Sequence, residues 1–305
     1  MSESAPNHGD PHNSAPNPGG SRAIAASQSE PAPLPVSLGG LEGWDCHAHV
    51  FGPYARFPLA ADRSYTPPEA VEQQYLALLA RLGLAHGVLV HPSAYGEDYA
   101  LLLHTLAAQP RLRGVVVARA AAKLQGLRER GVRAARYSQR AGSGANFAGS
   151  ASFADLREMA ASLAALNLHA ELWTDCQTLP ELAPALRQMP VPVVIDHMGG
   201  FDVRAGVDDA GFRCLLSLLE EGHVWVKLCT YRNTLSAASI ELGRPFHTLL
   251  LQANPEQLLW GSDWPHLRVD PAPDTAQLLR LFRDWTADEP MARRILVDNP
   301  ARLYG

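Results

Sequence analysis

Eight short apolar runs, each followed by a longer Ala- and Leu-rich amphipathic stretch, occupy the chain from residue 41 onward. The predicted strands are 41–51, 86–92, 113–118, 132–137, 168–173, 191–198, 223–229 and 257–263. Alternation of this kind indicates βα units that build a parallel sheet, and eight units close a barrel. An open doubly wound sheet would also alternate, but it should carry a glycine fingerprint after its first strand. Here HAHVFGP places a proline there, so we predict an α/β fold, a (β/α)8 TIM barrel.

The first 38 residues differ in composition from the rest of the chain. Residues 1–38 are rich in Pro, Ser, Asn, Gly and Ala, and such a segment cannot bury enough apolar surface to offset the entropy lost on ordering. We therefore predict a disordered N-terminal arm at 1–38 and one barrel domain at 39–305. The domain is close to the ~250 residues typical of a TIM barrel.

Charge and hydropathy exclude several classes of partner. The formal net charge of -5 argues against a basic face for nucleic acid. We find neither an apolar run of the ~18 residues that a membrane span needs nor a signal peptide. The four cysteines form no CxxC pair, which favours reduced thiols. We expect a cytoplasmic protein that acts on a small molecule, without nucleic acid or membrane partners, and a homo-oligomer is left open.

Histidine and aspartate recur where predicted strands end, which is where TIM barrels place their catalytic groups. The first strand ends DCHAH, and because side chains alternate along a strand, His47 and His49 project from the same face. The sixth strand ends at His197 and the eighth at Asp263. An HxH pair alone also fits two structural histidines, but four such residues converging on one rim predict an active site.

The motifs DCHAHVFGP, VIDHMGG, LLWGSDWPH and VDNPARLYG resemble the amidohydrolase superfamily, and within it the branch of the 2-pyrone-4,6-dicarboxylate lactonases. The segments RFPLAADRSYTPPEA and HPSAYGEDYALLL resemble the same branch, so the resemblance runs from about Leu41 to Gly305. It implies that an activated water opens an anionic lactone, with Asp263 as general acid/base. His47, His49 and His197 would polarise the lactone carbonyl, or hold with Asp263 a divalent ion that does so.

The resemblance leaves the cofactor open between one Zn²⁺ and none. Its metal ligands would be the same three histidines and the aspartate, but metal-dependent relatives add a ligand at the end of strand four or five. Strand four offers Arg133 and Arg136 instead. On strand five, His169 lies near the start and is predicted to face the barrel floor, which leaves Glu171 and Asp175 as substitutes.

The resemblance also implies contacts to the substrate, because carboxylates favour bidentate arginine forks. The residues carried over are Tyr65, Ser93, Arg136, Arg232 and, with a looser alignment, Arg140. The chain departs from the lactonase pattern at Gly200, where an arginine is expected, and at Trp173, where a tyrosine is expected. The loss of one guanidinium favours a related anionic lactone from aromatic degradation. We consider pyrone-dicarboxylate-like, muconolactone-like and sulfonated muconolactone rings.

Two other functions are compatible with the same residues. A zinc-dependent non-oxidative decarboxylase of the same superfamily would use the HxH pair, His197 and Asp263, but it normally adds a histidine at the end of strand five. A non-catalytic barrel that binds an anion would require a chemically inert rim. We therefore predict an ester hydrolase, a lactonase, in preference to the decarboxylase and to the non-catalytic barrel.

Overall fold

The computed structural model describes residues 42–141, 146–234 and 237–305, so the predicted arm at 1–38 lies outside the described residues. Within them, eight parallel strands follow one another around a single sheet in chain order, which confirms the TIM barrel. The strands are β1 Trp44–Ala48, β2 His86–Val90, β3 Leu112–Val116, β4 Val132–Gln139, β5 His169–Thr174, β6 Val193–Ile195, β7 Val224–Leu228 and β8 Leu258–Trp260.

The barrel closes where the chain following β8 meets β1. The Asp263 amide donates to the His47 carbonyl at 2.7 Å, and the His49 amide donates to the Trp264 carbonyl at 2.8 Å. All residues of β1, β6, β7 and β8 are buried, as expected for strands covered by side chains inside and helices outside. The closure brings the carboxyl ends of β1 and β8 together.

Nine helices of the described chain surround or cap the barrel. They are α1 Glu72–Leu82, α2 Ala100–Ala108, α3 Phe153–Ala165, α4 Leu179–Leu186, α5 Ala210–Glu220, α6 Arg244–Ala253, α7 Thr275–Thr286, α8 Glu289–Arg293 and α9 Asn299–Tyr304. None of the helices described is both long enough and apolar enough to cross a membrane. Side chains fix several helix starts: Ser152 and Asp155 form a reciprocal capping box on α3, which satisfies two backbone donors.

The prediction of a helix after the third strand is wrong. A short 3₁₀ turn at Ala121–Leu124 takes its place. Gly126 and Gly131 adopt φ values of 71° and 93°, in a region that glycine enters freely and a continuous helix does not. The glycines in AKLQGLRERG therefore interrupt a stretch whose spacing suggested a helix.

The C-terminal residues close the bottom of the barrel. Tyr304 is buried and stacks on Trp44 at the start of β1, with ring centroids 6.3 Å apart. Its carbonyl accepts from Arg113 and Arg133, each at 3.0 Å. The amino ends of the strands are thereby sealed, and the opposite end is left for a site.

Candidate active site

The structure brings the four residues predicted at the rim into one cluster. His47 and His49 lie at the end of β1, while His197 and Asp263 follow β6 and β8. Asp263 Oδ1 lies 3.5 Å from His49 Nε2 and 3.7 Å from His47 Nε2, and Asp263 Oδ2 lies 3.7 Å from His197 Nε2. The carboxylate therefore faces three imidazoles at once.

Two members of this cluster are held in an unusual backbone conformation. His197 has φ 49° and Asp263 has φ 56°, in the left-handed region where non-glycine residues cost roughly 1–2 kcal/mol each. Asn233 Nδ2 donates to the His197 carbonyl at 2.7 Å and supports that turn. Strain maintained at two converging side chains is typical of functional sites.

A cation holds Asp263 in its ionised form. Arg232 Nε pairs with Asp263 Oδ2, and the Tyr231 hydroxyl donates to the same oxygen at 2.7 Å. Burial raises the pKa of Asp263, but the Arg232 guanidinium and the His197 imidazole outweigh that effect and place the pKa well below its ordinary value. Asp263 is thus an ionised, buried carboxylate, and the turn after β7 supplies the groups that keep it so.

Hydrogen-bond partners hold both histidines of the HxH pair in place. His49 Nδ1 lies 2.7 Å from the Val90 carbonyl, which only accepts, so Nδ1 carries a proton. His47 Nδ1 lies 3.3 Å from a donor, Lys227 Nζ, and 3.3 Å from an acceptor, Asp196 Oδ1. The Nε2 atoms of the two histidines lie 3.3 Å apart. Burial and the Lys227 cation lower the pKa of His47 well below its ordinary value, so His47 is a neutral imidazole.

Lys227 belongs to a buried ionic network below the histidines. It is fully buried on β7, and Nζ lies 2.6 Å from Glu171 Oε2 and 3.3 Å from Asp196 Oδ1. Arg136 Nε pairs with the other oxygen of Asp196 at 2.9 Å, and the Tyr304 hydroxyl donates to Glu171 at 2.7 Å. Sequence reasoning missed Lys227, although a lysine inside the apolar strand VWVKL was a detectable signal.

A cavity opens above the cluster, and four of the five predicted substrate contacts line it: Tyr65, Ser93, Arg136 and Arg232. Arg140 does not line the cavity. Its guanidinium lies 4.6 Å from the Trp173 ring centroid and 3.8 Å from Asp175. Arg140 supports the wall from behind.

Aromatic rings form one wall of this cavity. Phe147 stacks on Trp173 with ring centroids 5.2 Å apart, and Tyr65 lies 5.4 Å from Phe147. Arg136 and Arg268 lie over these rings, 5.6 Å from Trp173 and 4.2 Å from Phe147. Sequence reasoning missed Phe147 and Arg268, because both come from loops without a repeating pattern. Flat rings and guanidinium groups together suit a planar anion.

Part of the cluster has the composition of a metal site. One ligand atom each from His47, His197 and Asp263 lies within 4.8 Å of the others, and His197 Nε2 has no hydrogen-bond partner in the described part of the chain. Two imidazoles and a carboxylate, with further positions open, suit a divalent ion. These residues therefore fit a divalent metal ion.

The strand-five residues considered as additional metal ligands have other partners. His169 lies at the floor, as predicted, with its ring centroid 5.0 Å from that of Tyr304. Glu171 pairs with Lys227. Asp175 accepts from the Thr178 hydroxyl at 2.7 Å, ahead of α4. The histidine that a decarboxylase would add is therefore absent from the described end of β5.

Comparison with known proteins confirms the resemblance predicted from the motifs. A 4-sulfomuconolactone hydrolase from Rhizobium radiobacter is 36% identical over 282 residues, covering 89% of this chain and 93% of that protein. A 2-pyrone-4,6-dicarboxylate hydrolase from Comamonas testosteroni is 33% identical over 279 residues, covering 85% and 89%. The crystal structure of a probable 2-pyrone-4,6-dicarboxylic acid hydrolase from Acinetobacter baumannii, with citric acid bound, superposes with a TM-score of 0.76 at 28% identity, covering 87% of this chain and 99% of that one.

The amidohydrolase family model matches residues 44–305. This span contains all eight strands and every residue of the candidate site. The chain therefore belongs to the amidohydrolase family.

Proposed function

We propose that the protein is a hydrolase that opens the ring of an anionic lactone from aromatic degradation, with Asp263 as general acid/base. The observation that carries the proposal is an ionised, buried carboxylate facing three imidazoles below a cavity lined by arginines. The relatives named as hydrolases of sulfomuconolactone and pyrone dicarboxylate support the same ring class.

The reaction uses Asp263 twice. In the first step Asp263 takes a proton from water, and the resulting hydroxide adds to the lactone carbonyl carbon. His47 and His197, whose Nε2 atoms both face Asp263, polarise the carbonyl and stabilise the negative charge that develops on its oxygen. In the second step the bond to the ring oxygen breaks, and protonated Asp263 returns its proton to that oxygen. One water is consumed, and the products are a hydroxyl group and a carboxylic acid, which ionises and releases one proton to solvent.

Side chains of the cavity hold the anionic substrate. Arg136 and Arg232 each keep guanidinium N–H groups beyond those that pair with Asp196 and Asp263, and an arginine fork can bind a carboxylate with two hydrogen bonds. Tyr65 and Ser93 also line the cavity and add hydroxyl groups. Arg140 acts indirectly, because it supports Trp173.

The cofactor is proposed as one Zn²⁺ or none. The ion would be held by His47, His197 and Asp263 with His49 beside them, and when bound it supplies Lewis-acid polarisation of the carbonyl oxygen. Metal analysis of protein purified without chelator separates the two versions. Near-stoichiometric zinc supports the first, and full turnover by metal-free protein supports the second.

A panel of anionic lactones tests the function. Titration at constant pH should record one equivalent of acid for each ring opened, with no CO₂ released. Asp263→Asn should lower turnover by at least ~10²-fold, in line with general acid/base contributions, whereas the exposed Asp284→Asn should leave it unchanged. Absence of acid release with every lactone, or CO₂ evolution from carboxylated rings, would contradict the proposal.

A further inference from the structure

Three arginines line the cavity, and two of them are already paired with carboxylates. Arg136 pairs with Asp196 at 2.9 Å, and Arg232 pairs with Asp263. Arg268, in the loop after β8, has neither an ion pair nor a hydrogen bond to any residue that the structure describes. No described carboxylate neutralises the charge of Arg268, so an anionic ligand can pair with it more readily than with Arg136 or Arg232.

Aromatic rings position the Arg268 guanidinium. Its carbon lies 4.2 Å from the centroid of Phe147 and 5.4 Å from that of Tyr65. Phe147 in turn stacks on Trp173, at an interplanar angle of 18°. Stacking covers the faces of a guanidinium and leaves the N–H groups in its plane free to donate. An oxyanion can then approach edge-on and accept two hydrogen bonds.

The positions of the arginines separate two regions of the cavity. Arg136 and Arg232 are largely buried, with side chains 17% and 25% exposed, and both contact carboxylates of the catalytic cluster or of the network below it. Arg268 is exposed at the mouth. Arg268 and Asp263 line the same cavity, so a ligand bound there can contact both.

We propose that Arg268 is a specificity-determining residue that binds the second anionic substituent of the lactone, a carboxylate or sulfonate. This inference rests on the proposed function and adds the residue that distinguishes lactones with two anionic groups from lactones with one. Lactones with one anionic group would engage the inner arginines and leave Arg268 unused.

Steady-state kinetics with paired lactones test this role. Arg268→Gln should raise KM for 4-sulfomuconolactone about 10-fold or more at nearly constant kcat, the equivalent of a charged hydrogen bond. KM for muconolactone, which lacks the sulfonate, should stay unchanged. Arg268→Lys should recover part of the loss, because a point charge replaces the fork. The exposed Arg157→Gln is the matched control and should behave as wild type with both lactones.

Calorimetry with unreactive probes gives an answer that does not depend on turnover. Wild-type protein should bind benzene-1,3-dicarboxylate more tightly than benzoate, and Arg268→Gln should abolish that preference. A preference that persists in the variant, or its absence in wild-type protein, overturns the role of Arg268. Equal KM changes for both lactones overturn it as well. If wild type hydrolyses no lactone but the probe preference requires Arg268, the proposed function fails and the anion site stands.

Discussion

Replacing Lys227 by methionine should destabilise the protein strongly and in a pH-dependent way. The substitution keeps an apolar chain of similar length but removes the cation that lies 2.6 Å from Glu171 and 3.3 Å from Asp196. Removing one partner of a buried ion pair costs about 3–5 kcal/mol, because the remaining charge is left without compensation. Asp196 still has Arg136 at 2.9 Å, so most of this loss should fall on Glu171, which retains a hydrogen bond from Tyr304.

The sign of the pH dependence follows from Glu171. Burial raises the pKa of Glu171 even with Lys227 present, and loss of the cation raises it further. The folded variant then binds a proton more tightly than the unfolded chain, whose glutamate has a pKa of about 4.3. Stability is therefore lost as the pH rises from that value toward the folded pKa, by up to about 1.4 kcal/mol for each pH unit.

Urea unfolding of wild type and variant at pH 5 and pH 8 measures this effect. The difference in unfolding free energy between the two proteins should be larger at pH 8. A Lys227→Met/Glu171→Gln double variant should recover much of the loss at pH 8, because a neutral amide then occupies the buried position. A defect of equal size at both pH values, or a double variant no more stable than the single one, would refute the argument.

Three further outcomes are expected. Asp263→Asn should still fold and unfold cooperatively while losing turnover, with a lowered melting temperature because Arg232 loses its carboxylate partner, as checked by thermal unfolding beside the kinetic assay. Gly261→Ala should lower kcat more than it raises KM, because the added Cβ would lie 2.7 Å from the Cβ of His47 and 3.1 Å from its amide nitrogen; unchanged kcat would show that β1 and β8 separate freely. Ser152→Ala removes the cap on α3 and should lower the unfolding free energy by about 1 kcal/mol without altering KM, since Ser152 and Asp155 bond to each other.

The fold and the cluster of three histidines and Asp263 could be predicted because both follow from periodic patterns. Each buried strand is a continuous apolar run, and residues that end parallel strands meet at one rim. His47, His49, His197 and Asp263 are therefore brought together by topology alone. Each predicted strand overlaps an observed strand, and no predicted end differs from the observed one by more than three residues.

The residues that sequence reasoning missed depend on packing between distant segments. The burial of Lys227 is explained by its ion pair with Glu171, a residue on another strand. Arg268 and Phe147 meet only because two irregular loops fold over the same mouth. Gly200 stands where the resemblance leads one to expect an arginine that binds substrate. Its φ is 54°, and a Cβ there would lie 3.0 Å from the Thr174 carbonyl oxygen. The local backbone of this chain therefore disfavours any side chain at that position.

The charge balance of the described site explains why an anionic ligand suits it. Each of three buried carboxylates has its own cation, so these groups neutralise one another without help from substrate: Asp263 with Arg232, Glu171 with Lys227 and Asp196 with Arg136. Burial keeps His47 neutral. Arg268 then remains as a cavity cation without a described carboxylate partner. An anion placed beside this exposed and already oriented guanidinium accepts charge-assisted hydrogen bonds and adds a Coulomb attraction that a neutral ligand lacks.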